Sequence, residues 1–184
     1  MAELALPSID TGELPRGMLG ELRSDHAGET GAVAIYQGMM AVTRDAAVGE
    51  FARRHMHAER VHLAAFDALL PRSARSRLLP LWRLSGWLLG AAGALGGRRG
   101  AYLTVAAVEA FVVEHYQNQI DALAGYPHLR ELRSLLERFQ GDEDHHRDDA
   151  LALYGGGQPG WSGRAWSVIV DAGSRAAVAA ARRL

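Results

Sequence analysis

Two tetrapeptides in this chain, Glu59-Arg60-Val61-His62 and Glu143-Asp144-His145-His146, set a carboxylate three residues ahead of an imidazole. On a helix that step leaves both side chains about 60° apart on one face. A carboxylate oxygen beside an imidazole nitrogen is a pair of metal ligands of the kind iron and manganese take. Two further glutamates, Glu29 and Glu109, each stand alone in an otherwise apolar helical repeat. The chain has no cysteine, which excludes disulfides, thiolate sites and cysteine nucleophiles and leaves His, Asp and Glu as the strong ligands. An isolated buried carboxylate is costly enough to take up a proton or move to the surface. Four of them at matching depth in one core require compensating cation charge.

The elements that must carry these residues are helices. Strand signals are nearly absent, and helical periodicity recurs between breaks. Four long helices are predicted over about 15–45, 47–70, 99–124 and 128–154, the last two stopped by GYP and GGGQPG. A connector over 78–97 joins the second to the third, and a C-terminal helix covers 161–183. On a 3-4 spacing the first helix aligns Leu19, Leu22, His26, Glu29, Val33, Tyr36 and Met40. The second aligns Phe51, His55, Glu59, His62, Phe66 and Leu69. The third gives Tyr102, Val105, Glu109, Val112 and Tyr116, and the fourth Leu132, Leu136, Phe139, Glu143, His146, Ala150 and Leu153. Every seam therefore has a glutamate near its middle. Two single glutamates and two Glu-x-x-His pairs, one element per helix, form the ligand set of ferritin-like di-iron and di-manganese bundles. Glu29 precedes Glu59 by 30 residues and Glu109 precedes Glu143 by 34, as in a duplicated helical hairpin. The expected fold is all-α: one domain over 1–184, a ferritin-like four-helix bundle with a hydrophobic crossover helix and an extra C-terminal helix.

Around the ligands, His26, Tyr36, His55 and Tyr116 lie on the same seams and are candidates to hydrogen-bond to ligands or line a cavity, although a satisfied core histidine or tyrosine is the commoner outcome for each. Asp142 and His145 also make an Asp-x-x-His, but off the seam, so Asp142 is expected behind the ligands rather than among them. Gly28 and Gly31 flank Glu29 and would leave room there for oxygen or a flat substrate, although close helix packing would use them equally well. The run GAAGALGG within 86–97 follows no strand and lacks Gly-Lys-Ser/Thr, so it reads as a helix of small residues and not as a phosphate loop. A net charge of −1 gives no electrostatic case for nucleic acid. All basic residues are arginine, which suggests a GC-rich bacterial source. The N-terminus MAELALPSIDTGELP has neither a signal nor a transit pattern.

The segments DHAGETGAVAIYQG, HAERVHL, VAAVEAFVVEHYQNQI and GDEDHHRDDAL resemble the four helix motifs of the demethoxyubiquinone hydroxylase family, and the resemblance covers essentially the whole chain. DHAGE-x-GA and E-x6-Y-x2-Q-I set that family apart from ferritins, rubrerythrins and manganese catalases. The resemblance implies a di-iron monooxygenase that uses O2 to hydroxylate 2-polyprenyl-3-methyl-6-methoxy-1,4-benzoquinone at its open ring carbon, in ubiquinone synthesis. It carries the ligands onto Glu29, Glu59, His62, Glu109, Glu143 and His146, for two iron ions. No flavin or nicotinamide fingerprint is present, so electrons are expected from an external reductant, NADH being a candidate.

A polyprenyl substrate resides in a bilayer. Residues 84–97 are an apolar stretch of fourteen bounded by Arg83, Arg98 and Arg99, too short to span about 30 Å of hydrocarbon. An interfacial helix is expected, with Trp82, Trp87 and Leu88 meeting lipid on the cytoplasmic face of the inner membrane. All four tryptophans lie in the connector or the C-terminal segment, as suits head-group depth. A lipid-binding accessory protein of quinone synthesis would use the same surface. Two rival readings share parts of this pattern: a ferritin-like iron storage or oxidation protein, and a non-catalytic quinone-binding scaffold at the membrane.

Overall fold

The computed structural model describes residues 6–7 and 10–184; the N-terminal reading above therefore falls partly outside the described residues. Six α-helices follow one another: α1 Met18–Val42, α2 Ala46–Leu69, α3 Leu79–Leu95, α4 Gly97–Leu123, α5 Arg130–Tyr154 and α6 Trp161–Ala181. The predicted spans hold to within three residues at every end, and short 3-10 turns occupy Arg72–Ala74 and Pro127–Leu129. Asp45 caps α2 by accepting from the amides of Ala47 at 2.9 Å and Val48 at 3.4 Å. Gly155, at φ 92°, ends α5 in the left-handed conformation that glycine adopts without penalty.

α1, α2, α5 and α4 form the bundle, each antiparallel to its neighbours. His26 meets Asp67 and Tyr36 stacks on His55 across α1–α2, while Phe66 meets Phe139 and His55 meets Asp149 across α2–α5. The apolar core is divided in two. Tyr36, Met39, Phe51, Tyr102 and Val105 fill one part; Leu22, Phe66, Leu132, Leu136 and Phe139 fill the other. The four glutamates lie in the layer between them, so apolar packing fixes the helices above and below the polar layer. The seams drift at their ends: Leu153 is exposed and Tyr154 is buried in its stead, as expected where a 3.6-residue helix is laid on a strict heptad.

α3 runs along the outside of α1 at backbone contact distance. A methyl group at Gly86 would overlap the Gly31 carbonyl, one at Gly90 the Ile35 carbonyl, and one at Gly38 the Trp87 carbonyl. The glycine-rich connector is thus the helix of small residues that the sequence suggests, and its glycines let two backbones touch. α6 packs on α4, where Trp166 Nε1 donates to Thr104 Oγ1 at 2.8 Å. Its C-terminal end is tied to α1 by Arg182 on Glu21 and by Arg23 on the Arg182 carbonyl. No helix among the described residues is long and apolar enough to cross a membrane.

Candidate metal centre

Glu29 on α1, Glu59 and His62 on α2, Glu109 on α4, and Glu143 and His146 on α5 converge, and none is more than 5% exposed. Their ligating atoms form two groups, each within 4.8 Å: Glu29, Glu59, His62 and Glu143, and Glu59, Glu109, Glu143 and His146. Glu59 and Glu143 belong to both. The inward face of α5 carries Glu143 and His146, while His145 is exposed, in the register that the seam indicates.

His62 Nδ1 lies 2.9 Å from Glu143 Oε1 and 3.8 Å from Glu29 Oε2, and His146 Nδ1 lies 3.0 Å from both Glu59 Oε1 and Glu143 Oε2. Several of these atoms are close without being aligned. Glu29 Oε2, Glu59 Oε1, Glu143 Oε1 and His62 Nδ1 are buried and lack a hydrogen-bond partner among the described residues. Unpaired buried polar atoms are expensive, and here they face one another around common points, as ligands around cations do. Four carboxylates and two neutral imidazoles also balance two divalent cations in formal charge. Donor chemistry, geometry and charge therefore fit a pair of iron or manganese ions.

The supporting residues sort themselves by contact. Tyr116 donates to Glu29 Oε1 at 2.6 Å and Tyr36 to Glu109 Oε1 at 3.3 Å. His62 Nε2 lies 3.0 Å from Asp142 Oδ2, so Asp142 holds the ring from behind as the off-seam position suggests. His55 sits edge-on to His146, with ring centroids 4.4 Å apart, and its Nε2 lies 2.8 Å from Asp149. His26 departs from expectation: it is buried, but its Nε2 meets Asp67 at 3.2 Å and no member of the six.

Burial pushes Glu29, Glu59 and Glu109 above the usual carboxylate range, and the neighbouring glutamates add to it, although the histidine charges act the other way at all three. For Glu143 burial is outweighed by His146 and His62, which hold it at about 2. Burial likewise opposes charge on both histidines, yet contacts with Asp142 and Glu143 push His62 up to about 11, and contacts with Glu143 and Glu59 do the same for His146. Without metal, protons on these rings supply the compensating charge. The stabilisation from these two rings is complete below their unfolded value of 6.5 and is lost as pH rises toward 11. The raised glutamates act in the same direction from 4.5 upward; Glu143 contributes above 4.5 and loses its contribution only as pH falls through about 2. Metal-free protein should therefore melt at lower temperature at about pH 9 than near neutrality, and two divalent ions, which displace the ring protons, should flatten that slope. Thermal melts with and without chelator check this, and a slope that metal leaves unchanged would contradict it.

A cavity of about 440 Å³ lies beside the cluster, between α1, α3, α4 and α6. Glu29, Glu59, Glu109 and Glu143 line one part of it; Ile35, Leu89, Val108, Phe111 and Val112 make apolar wall. Leu81 and Ile169 also line it, and they are 56% and 62% exposed, so the cavity reaches the surface between α3 and α6. The two glycines beside Glu29 have different duties. A methyl at Gly28 would meet nothing within 4 Å, whereas one at Gly31 would lie 3.1 Å from Trp82 Cε3, and Gly86 already packs on the Gly31 backbone. Gly28 is the open position; Gly31 is a packing residue. The tryptophans divide similarly. Trp87 and Leu88 are exposed with Leu81, Leu84 and Leu95 on α3 and Trp161 and Val168 on α6, while Trp82 leans on Gly31 and Trp166 is tied to Thr104. Only part of the tryptophan set thus faces outward.

Seam reasoning misses one polar group on the cavity wall: Ser24, Asp25 and His115, with Gln119 behind them. The signal was available as the i, i+4 pair Asp25–Glu29 and the matching pair His115–Gln119, but each stands one position from a seam residue, His26 or Tyr116, that drew the attention instead.

Fold and site together define a helical carboxylate–histidine bundle built to the two-Glu, two-Glu-x-x-His pattern. Comparison with known proteins narrows this. The profile of the family described as "Ubiquinone biosynthesis protein COQ7" matches residues 18–181, and the chain belongs to that family. A 3-demethoxyubiquinol 3-hydroxylase of Rhodospirillum rubrum is 46% identical over 136 residues, 71% of this chain and 62% of that protein, so the match spans under two thirds of that relative's length. The human and Caenorhabditis elegans proteins named NADPH-dependent 3-demethoxyubiquinone 3-hydroxylase, mitochondrial, are 36% and 32% identical over 167 residues, 89% of this chain and 76% and 88% of theirs.

Proposed function

We propose that this protein is an oxygen-dependent monooxygenase of ubiquinone biosynthesis that hydroxylates the ring of demethoxyubiquinol, with two irons held by Glu29, Glu59, His62, Glu109, Glu143 and His146. The observation that carries the reading is the cavity that joins the four glutamates to an exposed apolar strip. A storage or iron-oxidising bundle needs the ligands but has no use for an apolar path of that size beside them.

Bound iron would supply oxygen activation and electron transfer; the rest falls to the chain. Tyr116 and Tyr36 fix the carboxylates of Glu29 and Glu109 from outside the pair. The walls from α1, α3 and α4 would shield the aromatic head group, and Gly28, where an added methyl would meet nothing within 4 Å, leaves room for it. The prenyl tail would leave past Leu81 and Ile169 toward the apolar strip, which would rest on the cytoplasmic face of a bacterial inner membrane or against a lipid-binding accessory protein. The reductant is a reduced nicotinamide, in keeping with the NADPH that names the human and nematode relatives.

The test is product formation by iron-loaded, reduced protein, followed by mass, with substrates of short and long tail. Wild type should convert both and favour the long tail. Trp87→Asp with Leu88→Asp should release the protein from liposomes and lower turnover of the long-tailed quinol by about tenfold or more while sparing the short one. Equal loss on both tails, with liposome binding kept, would contradict the role given to the strip.

A further inference from the structure

The polar group on the cavity wall is more ordered than a solvated patch would be. Asp25 Oδ1 lies 2.9 Å from His115 Nε2 and accepts from Gln119 Nε2 at 2.8 Å. Ser24 Oγ lies 3.2 Å from the same His115 nitrogen and gives its own hydrogen to the Glu21 carbonyl at 2.7 Å. Both neighbours of Nε2 are therefore acceptors, which puts the ring's proton on Nε2 and the lone pair on Nδ1. Nδ1 has no protein partner among the described residues, and Asp25 Oδ2 and Gln119 Oε1 are buried without one. Asp25, 4% exposed, thus has the His115 ring N–H and the Gln119 amide as its hydrogen-bond donors. Phe111 lies nearly parallel to the ring with centroids 5.8 Å apart, and Glu21 Oε2 is 3.8 Å from Nε2.

The position of this dyad gives it a use. Asp25 stands one helical turn, about 6 Å, before Glu29 on α1, and Tyr116, next to His115, holds Glu29. A single aromatic ring lying over Gly28 would have its oxidisable edge at the glutamates and an oxygen substituent at His115. The hydroxyls of a quinol are weakly acidic, and removing a proton from one makes the adjoining ring carbon a better nucleophile.

We propose that His115, aligned by Asp25, is the base that accepts the proton from the quinol hydroxyl next to the open ring carbon. The O–H bond breaks, its electron pair stays on oxygen and delocalises into the ring, and an N–H bond forms at Nδ1; the proton returns to that oxygen when the ring leaves. Asp25 is a positioning residue and Gln119 holds it in place. This inference rests on the quinol hydroxylase reading above, and the reduced form of the substrate is the one it requires.

The probe is a 2-alkyl-4-nitrophenol, whose ionisation is visible by absorbance, added to the iron-loaded full chain in buffer below the probe's own ionisation. Wild type should bind it as the phenolate. His115→Gln and Asp25→Asn should bind it as the neutral phenol, with iron content unchanged. On the quinol, His115→Gln should lower kcat by about 10²- to 10⁴-fold, with KM little altered. It should also respond steeply to substituents that acidify the hydroxyl, a dependence that loss of structure alone would not create. Asp25→Asn, nearly isosteric, carries the same test should His115→Gln fold poorly. A probe that binds equally ionised to wild type and both variants overturns the assignment, and so does unchanged kcat in His115→Gln. If wild type ionises the probe and makes no hydroxylated quinol, the dyad stands and the hydroxylase reading falls.

Discussion

Glu59→Ala or Glu143→Ala is expected to empty both metal positions at once, because each of these carboxylates belongs to both ligand groups. Loss of either also removes a carboxylate from a histidine: His146 lies 3.0 Å from both, and His62 lies 2.9 Å from Glu143. Iron per chain should fall from about two to a small fraction of one, and all oxygen-dependent activity should fall with it. His62→Ala should also lower the iron content sharply. His145→Ala, exposed and one position off the face, should leave the content near two. Asp142→Asn is the graded case. It leaves the six ligands and removes the carboxylate behind His62, so affinity should fall by about 10- to 100-fold with stoichiometry retained at high metal. Metal analysis of the five variants decides it; iron stripped by His145→Ala and kept in Glu143→Ala would reverse the register of α5.

The second large effect belongs to the glycines. Gly90→Ala would drive a methyl group into the Ile35 carbonyl, and Gly38→Ala into the Trp87 carbonyl, with no flexible side chain able to yield. α1 and α3 must separate to admit either methyl, at a cost of about 3 kcal/mol or more. That lowers the melting temperature by several degrees and distorts the cavity wall. Gly28→Ala is the internal control. Its methyl meets nothing within 4 Å, so the fold should gain up to about 1 kcal/mol from helix propensity. Gly28→Leu, by contrast, would fill part of the cavity and is expected to uncouple oxygen consumption from product. Melting curves for the four proteins separate the two kinds of glycine; equal stability for Gly90→Ala and Gly28→Ala would refute the close contact of α1 and α3.

What could be read from the sequence was whatever periodicity alone determines. Helix spans and the six inward polar residues follow from one rule, that a charged residue on an apolar seam needs a reason, and Glu29, Glu59, Glu109 and Glu143 break the seams at one depth. Asp142 was legible as a residue off the ligand seam, but its contact with His62 was not, because His62 lies on another helix, eighty residues earlier in the chain. The glycines were not, since whether a missing side chain makes room for a substrate or for another backbone depends on which helix lies opposite. Periodicity also cannot say that α3 lies parallel to α1, which is what turns Gly31 toward Trp82 and leaves Gly28 facing the cavity. His26 is the satisfied core histidine that the seam also allows; its pairing with Asp67 depends on the rotation of a neighbouring helix, which periodicity does not give. Asp25 and His115 escaped notice because their partnership spans ninety residues and only folding brings them within 2.9 Å.

The proposed function requires that oxygen be activated at the glutamate layer and delivered to a ring seated in the adjoining cavity. The most direct measurement is turnover of demethoxyubiquinol under isotopically heavy dioxygen, using iron-loaded protein with reductant and following the product by mass. One heavy oxygen atom is expected in each new ring hydroxyl, formed in wild type and absent from Glu143→Ala. Product carrying oxygen from water, or dioxygen consumed by fully loaded wild type with no ring hydroxylated, would contradict it.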